Sequence, residues 1–324
     1  MTALPRSLET LIADARRAKS QRQPDDDRGE VDDVMRSVDE FFDQLCRGEY
    51  SDELYWRCVG EDCLEDGDWE GAKAAQQRIL DLEGETAFTR WLAYGRLAKL
   101  HRLLGDDDLS LECCRAANRE VEPEDSDVIR GQSLSQEAWQ LARMAQVRSA
   151  LEVASRGLSI ATKCNDYLTG SLLLAVAALC ELGMGRIKKA ENALHWGSDA
   201  LERLRASWQG VEGMDDSPGM LNAYGIWWRV QAEYLRSRGD KAGEADALEQ
   251  SLEKARQVAS PRNFPDAFSD ATVVERLLAA AGAAQRSGQA DKASALLAEA
   301  NEIGERRKLP ESARRLGLVP SREK

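Results

Sequence analysis

Histidine is nearly absent from this chain of 324 residues: only His101 and His195 occur, 94 positions apart. That scarcity argues against a histidine base or a histidine zinc site, and no Cys-x-x-Cys pair is present to replace one. No run of about 18 apolar residues exists to span a bilayer. The opening MTALPRSLETLIADARRAKS lacks the unbroken apolar segment of a secretory signal, so the cytoplasm is the expected location. A phosphate cradle is missing too, because Gly183-Met184-Gly185 follows no strand and leads into no Gly-Lys-Ser/Thr. Positive charge is in deficit, with 44 Lys and Arg against 57 Asp and Glu and a net charge of -13. This balance excludes a generalised nucleic-acid or anionic-membrane surface, while leaving room for a local basic groove. The acids do not form a catalytic set. Asp25 to Asp27 and Asp106 to Asp108 fall at turns or in a linker, where solvation and helix capping account for them. With no nucleophile and base, ligand set or phosphate loop, no cofactor or metal is expected, and an enzyme of unrecognised type is only a remote reading.

Seven cysteines, Cys46, Cys58, Cys63, Cys113, Cys114, Cys164 and Cys180, are an odd number placed mostly on apolar helical faces. Thiols in such places act as small hydrophobes, so free buried cysteines are expected rather than disulfides. His101 falls at a core position of the same kind and is expected to be a satisfied core histidine.

What the sequence does contain is helical periodicity in pairs. In WRCVGEDCLEDGDWEGAKAAQQRIL, residues 56 to 80, Trp56, Val59, Gly60 and Cys63 share one helical face. A Gly67-Asp68 turn follows, and then a second helix turns Ala72, Ile79 and Leu80 back toward the first. This stretch resembles the tetratricopeptide repeat (TPR), with Trp56, Val59-Gly60 and Ala72 matching its pattern. Cys63 replaces the pattern's tyrosine, Gln76 its phenylalanine and Gly84 its proline.

Five further segments register with the first on the small residue early in the second helix, Ala72 in the first copy and Ser110, Ala150, Ala190, Ala245 and Ala293 in the others. The third copy has lost its turn glycine, and the fifth reads as having one extra residue before Ala245. Spacings of 38, 40, 40, 55 and 48 exceed the roughly 34 residues of the consensus, which implies longer helices or longer corners. The array is similar to the divergent, long-helix TPR regions of bacterial regulators and kinesin light chains. The resemblance implies an all-α solenoid with a right-handed superhelix over residues 51–305. Residues 1–50 form an N-terminal cap with an acidic linker, and residues 306–324 form a basic tail that frays. Helix 4–19 presents Leu4, Leu8, Leu11, Ile12 and Ala15 on one stripe, suited to capping the array or docking a partner. The long periods place insertions at 205–220 and 260–269, each either a binding loop or a plain connector. In Trp227-Trp228, Trp228 takes the motif position, while Trp227 either anchors a groove ligand or packs on the neighbouring copy.

The family lines its inner wall with first-helix residues. Carried over, the wall takes Arg57, Glu61 and Leu64, then Arg96, Lys99 and Arg102, then Trp139 and Arg143. Ala175, Leu179 and Leu182 follow, then Arg229, Glu233 and Arg236, and finally Leu278, Gln285 and Arg286. Eight cations against two glutamates make this wall basic in an acidic chain. The resemblance implies a protein-interaction scaffold or adaptor whose groove takes a partner protein or peptide, with an acidic or carboxylate-bearing segment as the matching chemistry. The rival explanation is that these arginines are solvated or paired with acids on adjacent helices. The alternative function is a peptide-responsive regulatory sensor, and self-association through terminal hairpins is open.

Overall fold

Each hairpin closes through one residue in the left-handed region, followed by the residue that starts the second helix. The computed structural model describes residues 4–21, 40, 41, 43–121, 126–208, 217–260 and 267–313. Its helices, among the described residues, are α1 (Arg6–Gln21), α2 (Asp52–Asp66), α3 (Trp69–Asp81), α4 (Ala87–Leu104), α5 (Asp107–Glu120), α6 (Asp127–Arg143) and α7 (Val147–Cys164). They continue as α8 (Tyr167–Gly183), α9 (Ile187–Ser207), α10 (Pro218–Ser237), α11 (Lys241–Val258), α12 (Ala267–Arg286) and α13 (Ala290–Arg306). No strand occurs among the described residues, and no helix there is long and apolar enough to cross a membrane. The chain divides into two compact units, 1–93 and 94–324, and α4 carries the chain from one to the other.

In the first unit, α1 buries Leu8, Ile12 and Ala15 against Leu45 and Cys58. Each such large apolar side chain contributes about 1.5–3 kcal/mol. Asp62 on α2 fixes the approach, accepting hydrogen bonds from the backbone N–H groups of Arg6 at 2.6 Å and Ser7 at 3.0 Å. A carboxylate there satisfies orphan donors and complements the positive end of the helix dipole. The apolar stripe of α1 thus covers the α2–α3 hairpin. The acidic linker expected after it lies outside the described residues.

Gly67, Gly105, Gly185, Gly239 and Gly288 take φ between 72° and 85° at five hairpin corners. The sixth corner, where the sequence has no glycine, is made by Ala145 at φ 56°. Its backbone bonds repeat those of its neighbours: Gln146 N–H donates to Leu141 O at 2.9 Å, as Asp68 N–H donates to Cys63 O at 2.7 Å. Turn geometry is therefore kept at a steric cost that glycine avoids.

The first full bond of each second helix fixes the repeat register. Backbone N–H groups of Ala72, Ser110, Ala150, Ala190 and Ala293 donate four residues back to Asp68, Asp106, Gln146, Arg186 and Gln289. In the fifth hairpin the equivalent donor is Glu244, bonded to Asp240 O at 3.0 Å. The extra residue expected before Ala245 does not exist. Glu244 holds the small residue's place at 5% exposure, because Arg286 supplies a counter-ion for its carboxylate. The long period comes from the helices: α7, α8, α9 and α10 run 18, 17, 21 and 20 residues.

Two expectations about termini and insertions change. Fraying does not begin at residue 306, since Leu309 and Ala313 are buried and the Ser312 hydroxyl donates to Leu103 O, while 314–324 lie outside the described residues. The insertions shrink as well: 205–207 end α9, 218–220 begin α10, and 267–269 begin α12, while 209–216 and 261–266 lie outside the described residues. Trp227 packs on the neighbouring hairpin, donating its indole N–H to Leu194 O at 3.1 Å with its ring against Gly197.

Candidate functional site

First helices of the second unit each turn a stripe spaced three or four residues apart toward one half-open space. On α4 the stripe is Gly95, Lys99 and Arg102, and on α6 it is Gln132, Gln136 and Trp139. Leu168, Leu172 and Val176 continue it on α8, Asn222 and Ile226 on α10, and Phe268, Thr272 and Glu275 with Arg276 on α12. Together they line a cavity of about 520 Å³. Within the second unit, α12 and the segment after α13 come back to α4 at its rim. Lys99 Nζ stands 5.6 Å from the centre of the Phe268 ring, a cation–π contact, and Ser312 bonds to Leu103.

Charge concentrates around Glu275. Burial alone would push its carboxyl up, but the guanidinium groups of Arg276, Arg143, Arg102 and Arg229 together hold it below its ordinary value. The same burial works against the cations. Arg276, at 4% exposure, is pulled down to about 10, with Glu275 opposing the fall and the other arginines adding to it. Arg102 is also lowered, by burial first and then by Arg143, against Glu275. Beside this group, Arg229 pairs with Glu233, which also holds Arg236 at 3.1 Å. Gln140 on α6 donates to Asp107 Oδ1 at 2.8 Å, and Asp107 is a further carboxylate near Arg102. The Nε atoms of Arg102, Arg143 and Arg276 are buried with no hydrogen-bond partner.

The residues expected on the inner wall are therefore divided. Lys99, Arg102 and Trp139 line the cavity, and Arg143 and Arg229 belong to the charge cluster at Glu275. Arg236 reaches that cluster through Glu233. Arg286 instead turns to Glu244 on α11, and Arg96 is half-buried on α4 outside the lining. Arg57 lies in the first unit and pairs with Glu53. On α8 the residues that face the cavity are Leu172 and Val176, while Ala175, Leu179 and Leu182 pack on the side of Val230 and Tyr234. Leu64 is buried at 4% and joins no wall.

Glu275, Arg276, Phe268 and Asn222 escaped the motif-based assignment, which placed the sixth wall at Leu278, Gln285 and Arg286. The long first helices bring residues from a turn or more earlier into the cavity. One signal was available: Glu275 and Arg276 are the only charges between 271 and 285, in an otherwise apolar helix.

The remaining chemistry of the chain is muted. All seven cysteines are free thiols, and burial pushes Cys114 and Cys180 up to about 12. His101 occupies its core position with Nδ1 3.5 Å from Asp106 and without a hydrogen bond, so it is not the satisfied histidine expected. Among the described residues no group of three His, Cys, Asp or Glu side chains is placed to hold a metal ion.

No family model matches the sequence, and no curated protein matches it significantly. Solved structures do. A Rap protein complexed with Competence and Sporulation Factor matches with TM-score 0.57 at 12% identity, over 93% of this chain and 77% of that one. Aspartyl phosphate phosphatase F from Bacillus subtilis matches with TM-score 0.48 at 12% identity, over 91% and 80%. A putative kinesin light chain from Podosopora anserina, with nearly identical TPR-like repeats, gives TM-score 0.39 at 16% identity, over 68% and 96%. At 12% identity the first likeness bears on the fold alone. The chain has the fold of an all-helical, tetratricopeptide-like solenoid, in a divergent long-period form.

Proposed function

We propose that the chain is a peptide-binding adaptor or regulator that acts without catalysis in the cytoplasm, taking a segment of a partner into the cavity of its second unit. The observation that carries this reading is the convergence of the first helices: five of them, from successive hairpins, turn amides, an indole and arginines into one space. A volume of about 520 Å³ lies within the range of small-ligand sites, where a few placed polar groups on apolar walls fix orientation. Support of a weaker kind comes from the Rap protein of similar fold, which was crystallised with Competence and Sporulation Factor. The titratable groups of the cavity pair with one another, as in an ion network, rather than as nucleophile and base.

The sensor form is favoured over the passive scaffold because the cavity draws on five hairpins at once, so an occupant that binds one arrangement of them better than another shifts the array toward it. Peptide libraries retained on the purified chain, followed by fluorescence titration, test the reading. Trp139→Ala is expected to weaken any retained peptide at least about tenfold, as removing a buried aromatic anchor does. Binding that Trp139→Ala and Asn222→Ala leave unchanged would place the site elsewhere.

A further inference from the structure

The arginine cluster beside the cavity lacks acceptors. Arg102, Arg143, Arg229, Arg236 and Arg276 come from four helices, while the carboxylates near them are Glu275, Glu233 and Asp107. Glu233 is already shared between Arg229 and Arg236, and Asp107 already accepts from Gln140. Glu275 is left as the chief counter-ion of Arg102, Arg143 and Arg276. All three Nε–H groups of these arginines are buried without a partner, and Arg276 is 4% exposed. Buried donors and buried like charges in this state are expensive, and folded chains normally supply what they lack. Two of the three arginines, Arg102 and Arg276, also border the cavity, as does Glu275. Lys99 adds a further cation to the lining.

Resting on the peptide-binding reading, we infer that the peptide enters with a carboxylate, which docks on Arg102 and Arg276 and shares them with Glu275. A guanidinium offers paired N–H groups that match the two oxygens of a carboxylate, and desolvation strengthens that bond. Glu275 is then the resident carboxylate of the site. It keeps the empty cluster from holding three adjacent cations with no anion, and it competes with the incoming acid for the same donors. An Asp or Glu side chain and a peptide C-terminus supply the same carboxylate chemistry.

Fluorescein-labelled random hexapeptide pools, titrated against the purified full chain by polarisation, test this. One pool carries a fixed central Glu, a second Gln and a third Lys, and each is made with a free and an amidated C-terminus. A fourth carries phosphoserine. Expected is at least tenfold tighter binding of acid-bearing pools, lost in Arg276→Gln and in Arg102→Gln, with amidation showing which carboxylate is read. Glu275→Gln is expected to tighten acid binding several-fold, the opposite sign to the arginine changes. A merely structural role would weaken all three variants together. If an arginine variant fails to fold by circular dichroism, Glu275→Gln and Arg102→Lys carry the test. Equal binding of Glu, Gln and Lys pools would overturn the carboxylate but keep the peptide site, as would preference for Lys or for phosphoserine alone. Retention of no pool would overturn both.

Discussion

Ala145 makes the corner that glycine makes in the other five hairpins, at φ 56°. The left-handed region costs an L-residue about 1–2 kcal/mol, whereas glycine enters it freely but loses about 0.5–1 kcal/mol more chain entropy. Ala145→Gly is therefore expected to stabilise the chain by about 0.5–1 kcal/mol, read as a higher urea midpoint at unchanged slope. A lower midpoint would mean that this corner is relaxed by its surroundings. Cys114 and Cys180 give a second expectation at this scale. Burial raises both thiols from 9.0 to about 12, so the folded chain keeps its protons where the unfolded chain releases them. Their contribution is complete below about pH 9 and is lost as pH rises toward 12. Replacing either by Ala or Ser is expected to flatten the alkaline fall in melting temperature. In native protein both thiols are expected to react with a disulfide reagent at pH 8 only as fast as the chain opens.

At the scale of the element, helix pairs meet where small residues let them. Gly157 on α7 has no room for a side chain: an added Cβ would lie 2.9 Å from Leu173 Cδ1 and 3.3 Å from Leu134 Cβ. Leu173 is fully buried at 0% exposure and has little freedom to yield. Gly157→Ala is expected to destabilise by about 1–3 kcal/mol despite alanine's better helix propensity, which thermal unfolding measures. Glu244 shows the opposite solution, a long acid at a small-residue position. Glu244→Ala removes the partner of Arg286 and is expected to cost about 1–3 kcal/mol, while Glu244→Ala combined with Arg286→Ala costs less than the sum. Additive costs in that cycle would show that the pair does not interact.

Repeat register was legible in the chain because it depends on local signals. Asp68 and Asp106 after their glycines mark second helices, and the small residues four positions on mark close approach. The fifth copy misled because Ala245 follows Glu244, and a buried acid is excluded by propensity but permitted by a partner on the next hairpin. On α8 the wall was displaced by about one turn, since a pattern counted from a consensus of shorter helices cannot know where longer ones begin to face inward.

At the scale of the whole second unit, the segment after α13 returns to the end of α4, where the Ser312 hydroxyl donates to Leu103 O and its Cβ stands by Gly105, while Leu309 and Ala313 in the same segment are buried. Leu309→Ala is expected to cost about 2–5 kcal/mol as a buried leucine truncation, and also to speed hydrogen exchange in both α4 and α13. Exchange confined to α13 would mean that the last hairpin does not hold the first. The chain's net charge of -13 pointed toward solubility and away from nucleic acid. The repeat pattern already marked Arg102, Arg143 and Arg229 as a basic wall within that acidic chain, but not that they meet Arg276 around Glu275.

By itself the sequence determined the paired helices, their corners and their long period, since these arise from periodicity, capping and backbone preference within a few residues. Only the tertiary structure decided that Glu275 and Arg276 stand among distant arginines, that Ser312 returns to the end of α4, and that Arg286 serves α11 instead of the cavity. Burial and charge pairing depend on which residues come together across hairpins, and no local pattern encodes that.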